Sequence, residues 1–171
     1  MTLIHYSVSM LKVRLILGNI MYQTIVLAFD GSKEGWLALR EGAELALTAK
    51  AKVVAIISVL KISASQPFGP GLFPIEGVGG DGVTESQKLL EEAAEEIQSL
   101  GIPNVQRYLA FGEPVEQLAD LTTKIDADLV VVGHRHRSTL DRWWQGSVSK
   151  SLIDTVDCSV LIAMPKTPSS N

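Results

Sequence analysis

Residues 126–163 read DADLVVVGHRHRSTLDRWWQGSVSKSLIDTVDCSVLIA, and their pattern decides the fold class. Asp128, Leu129, Val130, Val131 and Val132 form a short run that closes at Gly133, and Cys158 to Ala163 forms a second. Both are almost continuously apolar, with no polar alternation, as expected of strands covered on both faces. Between them, from about Ser147, Val148, Leu152 and Val156 recur at helical spacing. Strand, helix and strand in so short a stretch make a parallel crossover unit.

The same unit recurs upstream. Thr24 to Phe29 (TIVLAF) is nearly all apolar and closes at Asp30-Gly31-Ser32, Val53 to Leu60 (VVAIISVL) is a second buried strand, and Val105 to Ala110 is a third strand. One helical stripe runs through Trp36, Leu39, Ala43, Ala46 and Leu47. Another passes through Leu89, Leu90, Ala93, Ala94, Ile97 and Leu100, with Gly101 as its stop. Gly112-Glu113-Pro114 opens a third helix with Pro at its first position, and Val115, Leu118, Ala119, Thr122 and Ile125 line its inner face. Five buried strands alternating with four helices predict an α/β fold, a doubly wound five-stranded parallel sheet. Residues 63–83, rich in Gly and Pro and without periodicity, read as a long loop. Ligands of such sheets bind beyond the carboxyl ends of the strands, where strand order reverses. That rule selects Asp30, Val59 and Gly133.

Composition narrows the function classes. With 171 residues, 46% of them hydrophobic and 20% charged, the chain suits one well-filled globular domain rather than a disordered segment. A net charge of -4 lacks the basic surplus of a nucleic-acid binder. No apolar run approaches the roughly 20 residues that span a bilayer, so no membrane partner is expected. The single cysteine, Cys158, leaves no intramolecular disulfide and suits a reducing cytoplasm. Residues 1–20 match nothing later in the chain and are read as an extension or misassigned start ahead of Met21. Residues 21–166 are the domain, and residues 167–171 a polar tail.

The segment between Gly133 and the last helix is dense in cations, with Arg135, Arg137 and Arg142. Gly146-Ser147 falls where that helix begins. Free backbone N–H groups there, with the helix dipole, suit an anion. The competing reading is a capped helix preceded by a glycine turn, with Ser147 as the cap. These pieces, with TIVLAFDGS and VVAIISV, make the chain from Met21 to about Lys166 resemble the universal stress protein family. The resemblance implies strand order 3-2-1-4-5, an adenine nucleotide alpha hydrolase-like fold, and a homodimer through the fifth strands (Val160, Ile162). It also implies a cytoplasmic role in stress response or signalling.

By position, the resemblance assigns an adenine nucleotide, ATP or AMP, with Mg2+ accompanying it, to the strand tips. Asp30 holds the adenosine end, the Val59 backbone reads the adenine edge, and Val132 and Gly133 bring backbone against ribose and phosphates. Gly146, Ser147 and Val148 cradle the phosphates. The nucleotide-binding branch carries Gly-x2-Gly-x9-Gly-Ser/Thr, but its second glycine falls here at His136. An imidazole in place of that glycine takes up the room a close backbone approach needs. His136 and Arg137 then stand in for the lost contact. The alternative is a nucleotide-free dimerising interaction protein of the same fold, whose His-Arg-His-Arg loop meets a protein partner directly.

Other constellations carry less. His134 and His136, bracketed by arginines, are a poor ligand set for a metal. Trp143-Trp144 reads as a hydrophobic anchor, and Cys158 as a small hydrophobe at the start of a strand. Neither a serine-nucleophile elbow nor a P-loop lysine motif is present. The expectation is therefore a binding module rather than an enzyme, with hydrolysis of a bound nucleotide at most slow and incidental.

Overall fold

The computed structural model describes residues 22–60, 69–75, 84–133 and 148–165. β1 (Thr24–Ala28), α1 (Lys33–Ala49) and β2 (Val53–Leu60) come first, followed by β3 (Gly71–Pro74), α2 (Thr84–Ser99) and β4 (Val105–Phe111). Then follow α3 (Pro114–Lys124), β5 (Leu129–Gly133), α4 (Val148–Thr155) and β6 (Ser159–Ala163). The strands form one sheet in the order β3-β4-β2-β1-β5-β6. All neighbours run parallel except β3 and β4. With β3 set aside, this is the anticipated doubly wound order.

The continuous apolar runs now have their explanation. Ile25 and Leu27 of β1, Val54 and Ile56 of β2, and Leu129 and Val131 of β5 pack on one face beneath Ala38, Leu39, Ala43 and Ala46 of α1 and Leu90, Ala93 and Ile97 of α2. The intervening Val26, Ala55, Ile57, Val130 and Val132 pack on the other face against Leu118 and Leu121 of α3 and Leu152 of α4. Successive side chains of a strand point to opposite faces, so β1, β2 and β5, covered on both sides, are apolar at nearly every position. β6 is not buried on both faces as expected and leaves Ser159 and Ile162 exposed, as β4 leaves Gln106. The lower edge is tied by Asp128, whose Oδ2 accepts from the backbone N–H groups of Gln23 (2.7 Å) and Thr24 (3.0 Å). These bonds join the start of β1 to the residue before β5.

Three expectations need correction. The 63–83 segment is not loop throughout, since Gly71–Pro74 adds a sixth strand antiparallel to β4, with Leu72 opposite Ala110 and Phe73 opposite Leu109. Four residues are too few to show a period, and what pairs them is the open edge of β4 together with the Phe73–Phe111 ring contact at 5.9 Å. Leu47 and Leu100 are 41% and 42% exposed rather than buried on their stripes. The buried arc of α1 runs through Gly35, Ala38, Leu39, Gly42, Ala43 and Ala46, which leaves Leu47 about 40° beyond its edge at Ala43. On α3, Gln117 and Leu121 take buried positions, while Val115, Ala119 and Ile125 pack half-buried at the flank of the second core.

The small residues of α1 set its distance from the sheet. A Cβ on Gly42 would stand 2.4 Å from Leu27 Cδ2 and 3.4 Å from Val131 Cγ2, two side chains of the central strands. Gly42→Ala is therefore expected to lower stability by about 1–3 kcal/mol, as overpacking does. The loss should appear as a smaller denaturation midpoint in urea with little change of slope.

Candidate functional site

Strand order reverses between β1 and β5. From β1 the chain proceeds outward through β2 to β4 on one side, and from β5 to β6 on the other. The crevice above the carboxyl ends of β1 and β5 is the place where such sheets hold ligands. The register brings the candidate positions level with one another. Ala28 lies opposite Ile57, which carries Val59 to the height of Asp30, and Leu27 lies opposite Val131, which carries Gly133 to the height of Phe29.

The β1 tip is built by a turn and a helix cap. Phe29 N–H still donates to Ile57 C=O (2.9 Å), extending the ladder one residue past β1. Gly31 then turns the chain at φ +73, where a side chain would be strained, and Ser32 becomes the N-cap of α1 in extended conformation. The Ser32 hydroxyl accepts from Gly35 N–H at 2.9 Å. Asp30 Oδ1 accepts from Ser32 N–H (3.0 Å) and from the Ser32 hydroxyl (2.5 Å). The edge of one ring meets the face of the other between Phe29 and Trp36, with centroids 4.8 Å apart. The Arg40 guanidinium sits 6.0 Å from the Trp36 ring centroid and pairs with Glu96 of α2. This stack holds the first turns of α1 against the β1 tip and α2.

Gly133 has a role that spacing alone did not reveal. A Cβ there would stand 2.4 Å from the Glu34 carbonyl oxygen and 3.1 Å from Gly35 N, so the β5 tip lies directly against the first turn of α1. A Cβ on Gly35 would in turn stand 2.5 Å from Asp30 Oδ1. Asp30, Gly35 and Gly133 thus meet at one point of the switch crevice. Val132 is buried toward α3 and α4, and Val59 is half-buried at the end of β2 beside Leu60, whose C=O accepts from Gly112 N–H at 3.0 Å. Val148 opens α4. Arg135, His136, Arg137, Gly146 and Ser147 lie outside the described residues, as do His134, Arg142, Trp143, Trp144, residues 1–20 and the 167–171 tail.

Ser32 and Gly35 went unnoticed in the sequence, although Asp-Gly-Ser with a glycine three residues after the serine carries the signal of an N-cap. Among the described residues, no group of three His, Cys, Asp or Glu side chains is placed to hold a metal. None of the described helices is long and apolar enough to cross a membrane.

With this geometry in hand, the comparisons with known proteins agree. The model of the universal stress protein family matches residues 21–163, and the chain belongs to that family. A universal stress protein of Mycobacterium tuberculosis is 29% identical over 141 residues, covering 82% of this chain and 95% of the relative. Among solved structures, a universal stress protein in complex with cAMP superposes with a TM-score of 0.64 at 23% identity, covering 83% of this chain and 97% of its own. The universal stress protein from Archaeoglobus fulgidus in complex with dAMP gives a TM-score of 0.60 at 23% identity, covering 83% and 98%.

Two outcomes follow, one at the crevice and one at the opposite end of the sheet. Gly133→Ala must push a methyl group into the α1 backbone, so it should cost about 2–3 kcal/mol in chemical denaturation of the ligand-free protein. Cys158 stands at the foot of β6, where burial first, and then the charges of Asp128 and Asp157, push its thiol pKa up. Less thiolate at a given pH means slower alkylation, so iodoacetamide should modify Cys158 several-fold more slowly than free cysteine at pH 8. Its rate should keep rising at pH values where the free thiol has levelled off.

Proposed function

We propose that this protein is a stress-response module that binds an adenine nucleotide in the crevice between the β1 and β5 tips. The observation that carries the reading is the meeting of Asp30, Gly35 and Gly133 at the point where strand order reverses. Asp30 supplies a fixed carboxylate for the hydroxyl and amino donors of an adenosine. The backbone ends of β2 at Val59 and of β5 at Val132 and Gly133 supply edges that approach a flat ring or sugar closely. The segment from Arg135, His136 and Arg137 to Gly146, Ser147 and Val148 supplies the phosphate arm, through guanidinium donors and the N-terminus of α4. Mg2+ would enter with the phosphates of ATP. Support comes from family membership and from the two superposed relatives, whose complexes hold cAMP and dAMP. On this reading the protein is a cytoplasmic binding module, and any hydrolysis of its nucleotide is incidental.

A second copy of the chain is the proposed partner. Among the described residues β6 is an edge strand paired to β5 alone, and it leaves Ile162 37% and the adjoining Met164 53% exposed, with Ile153 of α4 58% exposed. Pairing two such edges, with Val160 and Ile162 at the two-fold axis, would remove an aggregation hazard. A mass of twice the chain is expected in light scattering at micromolar concentration.

His136, standing where the nucleotide-binding branch has glycine, favours a second reading in which no nucleotide binds and the arginine-rich segment meets a protein. Calorimetry with ATP and AMP separates the two. The first reading expects saturable heat with either nucleotide below millimolar concentration, weakened at least ten-fold in Asp30→Ala. The second expects none, and a gain of affinity in His136→Gly would identify the imidazole as the obstacle.

A further inference from the structure

We propose that Ser32 is a positioning residue for the nucleotide site, through a hydroxyl that locks the carboxylate of Asp30. The inference rests on reading the β1 tip as part of that site. The direction of the Ser32 hydroxyl proton is dictated by its neighbours. Gly35 N–H can only donate, so the Ser32 oxygen must accept from it, at 2.9 Å. The hydroxyl hydrogen is left to the acceptor on the other side, Asp30 Oδ1, at 2.5 Å. The N–H of Ser32 donates to the same oxygen at 3.0 Å. Two donors from one residue converge on that one oxygen and hold it in place, and bonds to an ionised acceptor are the strong kind.

The lock has a base. Gly35 lacks the Cβ that would stand 2.5 Å from Asp30 Oδ1 and 3.2 Å from Ser32 Oγ, so the carboxylate can reach into the first turn of α1. That turn is itself set against the β5 tip at Gly133. The carboxylate is consequently referenced to both strands flanking the crevice, β1 through the chain and β5 through α1. A ligand then meets an acceptor already oriented and need not order it on binding, which is the advantage of preorganisation.

A capping serine and a positioning serine predict different results. Gly is tolerated at an N-cap almost as well as Ser but has no hydroxyl. Asp caps the helix well, yet would set a second carboxylate beside Asp30. Thr keeps both bonds. The test is the affinity of the full-length protein for AMP, measured by calorimetry in Ser32→Gly, Ser32→Asp and Ser32→Thr beside thermal melting of each. Positioning predicts that Thr stays within two-fold of the original, while Gly weakens AMP by about ten-fold with a melting change of only a few degrees, and Asp weakens it at least as much. Affinity in Ser32→Gly within two-fold of the original would overturn the role, as would equal losses in Thr and Gly. Should Ser32→Gly fail to fold, Ser32→Asp decides, and full affinity there overturns the role. An unsubstituted protein that ignores AMP fails the nucleotide reading itself and takes this inference with it. Binding that survives every Ser32 variant fails the inference alone.

Discussion

Helix α1 lies close enough to the β1–β5 seam to shape the crevice because its contact points carry no side chain. Gly42 clears Leu27 and Val131, Gly35 clears the Asp30 carboxylate, and Gly133 clears the helix backbone at Glu34. Each would put a Cβ within 2.5 Å of its neighbour, a separation that real packing does not allow. The helix therefore has one distance at which it fits, and the geometry of the β1 tip follows from that distance. Because N-cap, carboxylate and strand end share Gly35, disturbing any one of them moves the other two.

The rest of the fold supplies a rigid frame for this point. Both faces of the sheet are filled, one under α1 and α2 and the other under α3 and α4, so the strand tips cannot shift without disturbing a core. Asp128 fastens β1 to β5 at the opposite end from the crevice. The two edges are treated differently. β4 is covered by the short antiparallel β3, whereas β6, among the described residues, has a neighbour on one side and an exposed isoleucine.

Ser32 joins a helix cap to the carboxylate of Asp30 through a single hydroxyl. The same hydroxyl that satisfies an orphan donor of the helix N-terminus also orients an acidic side chain at the mouth of the sheet. Family membership alone says nothing of this division of labour. It emerges from the alternation of donor and acceptor along three neighbouring groups.

The apolar runs of β1, β2 and β5 showed in the order of residues that parallel strands are covered by helices on both faces, because a strand buried twice leaves almost no polar position. β4 and β6, with Gln106 and Ile162 exposed, are buried only in part. Asp30, Val59 and Gly133 were legible as strand tips for the same reason. What the sequence could not display is any contact between residues far apart in the chain. The strand Gly71–Pro74 exists because β4 offers it an edge, and Leu47 is exposed because the glycines and alanines of α1 turn its buried arc away. Gly133 reads as a ligand glycine in its motif, yet its nearest obstacle is a helix a hundred residues earlier in the chain. Periodicity records which way a side chain faces along its own element. How closely two elements approach, and which atoms meet there, is decided only when they are packed against each other.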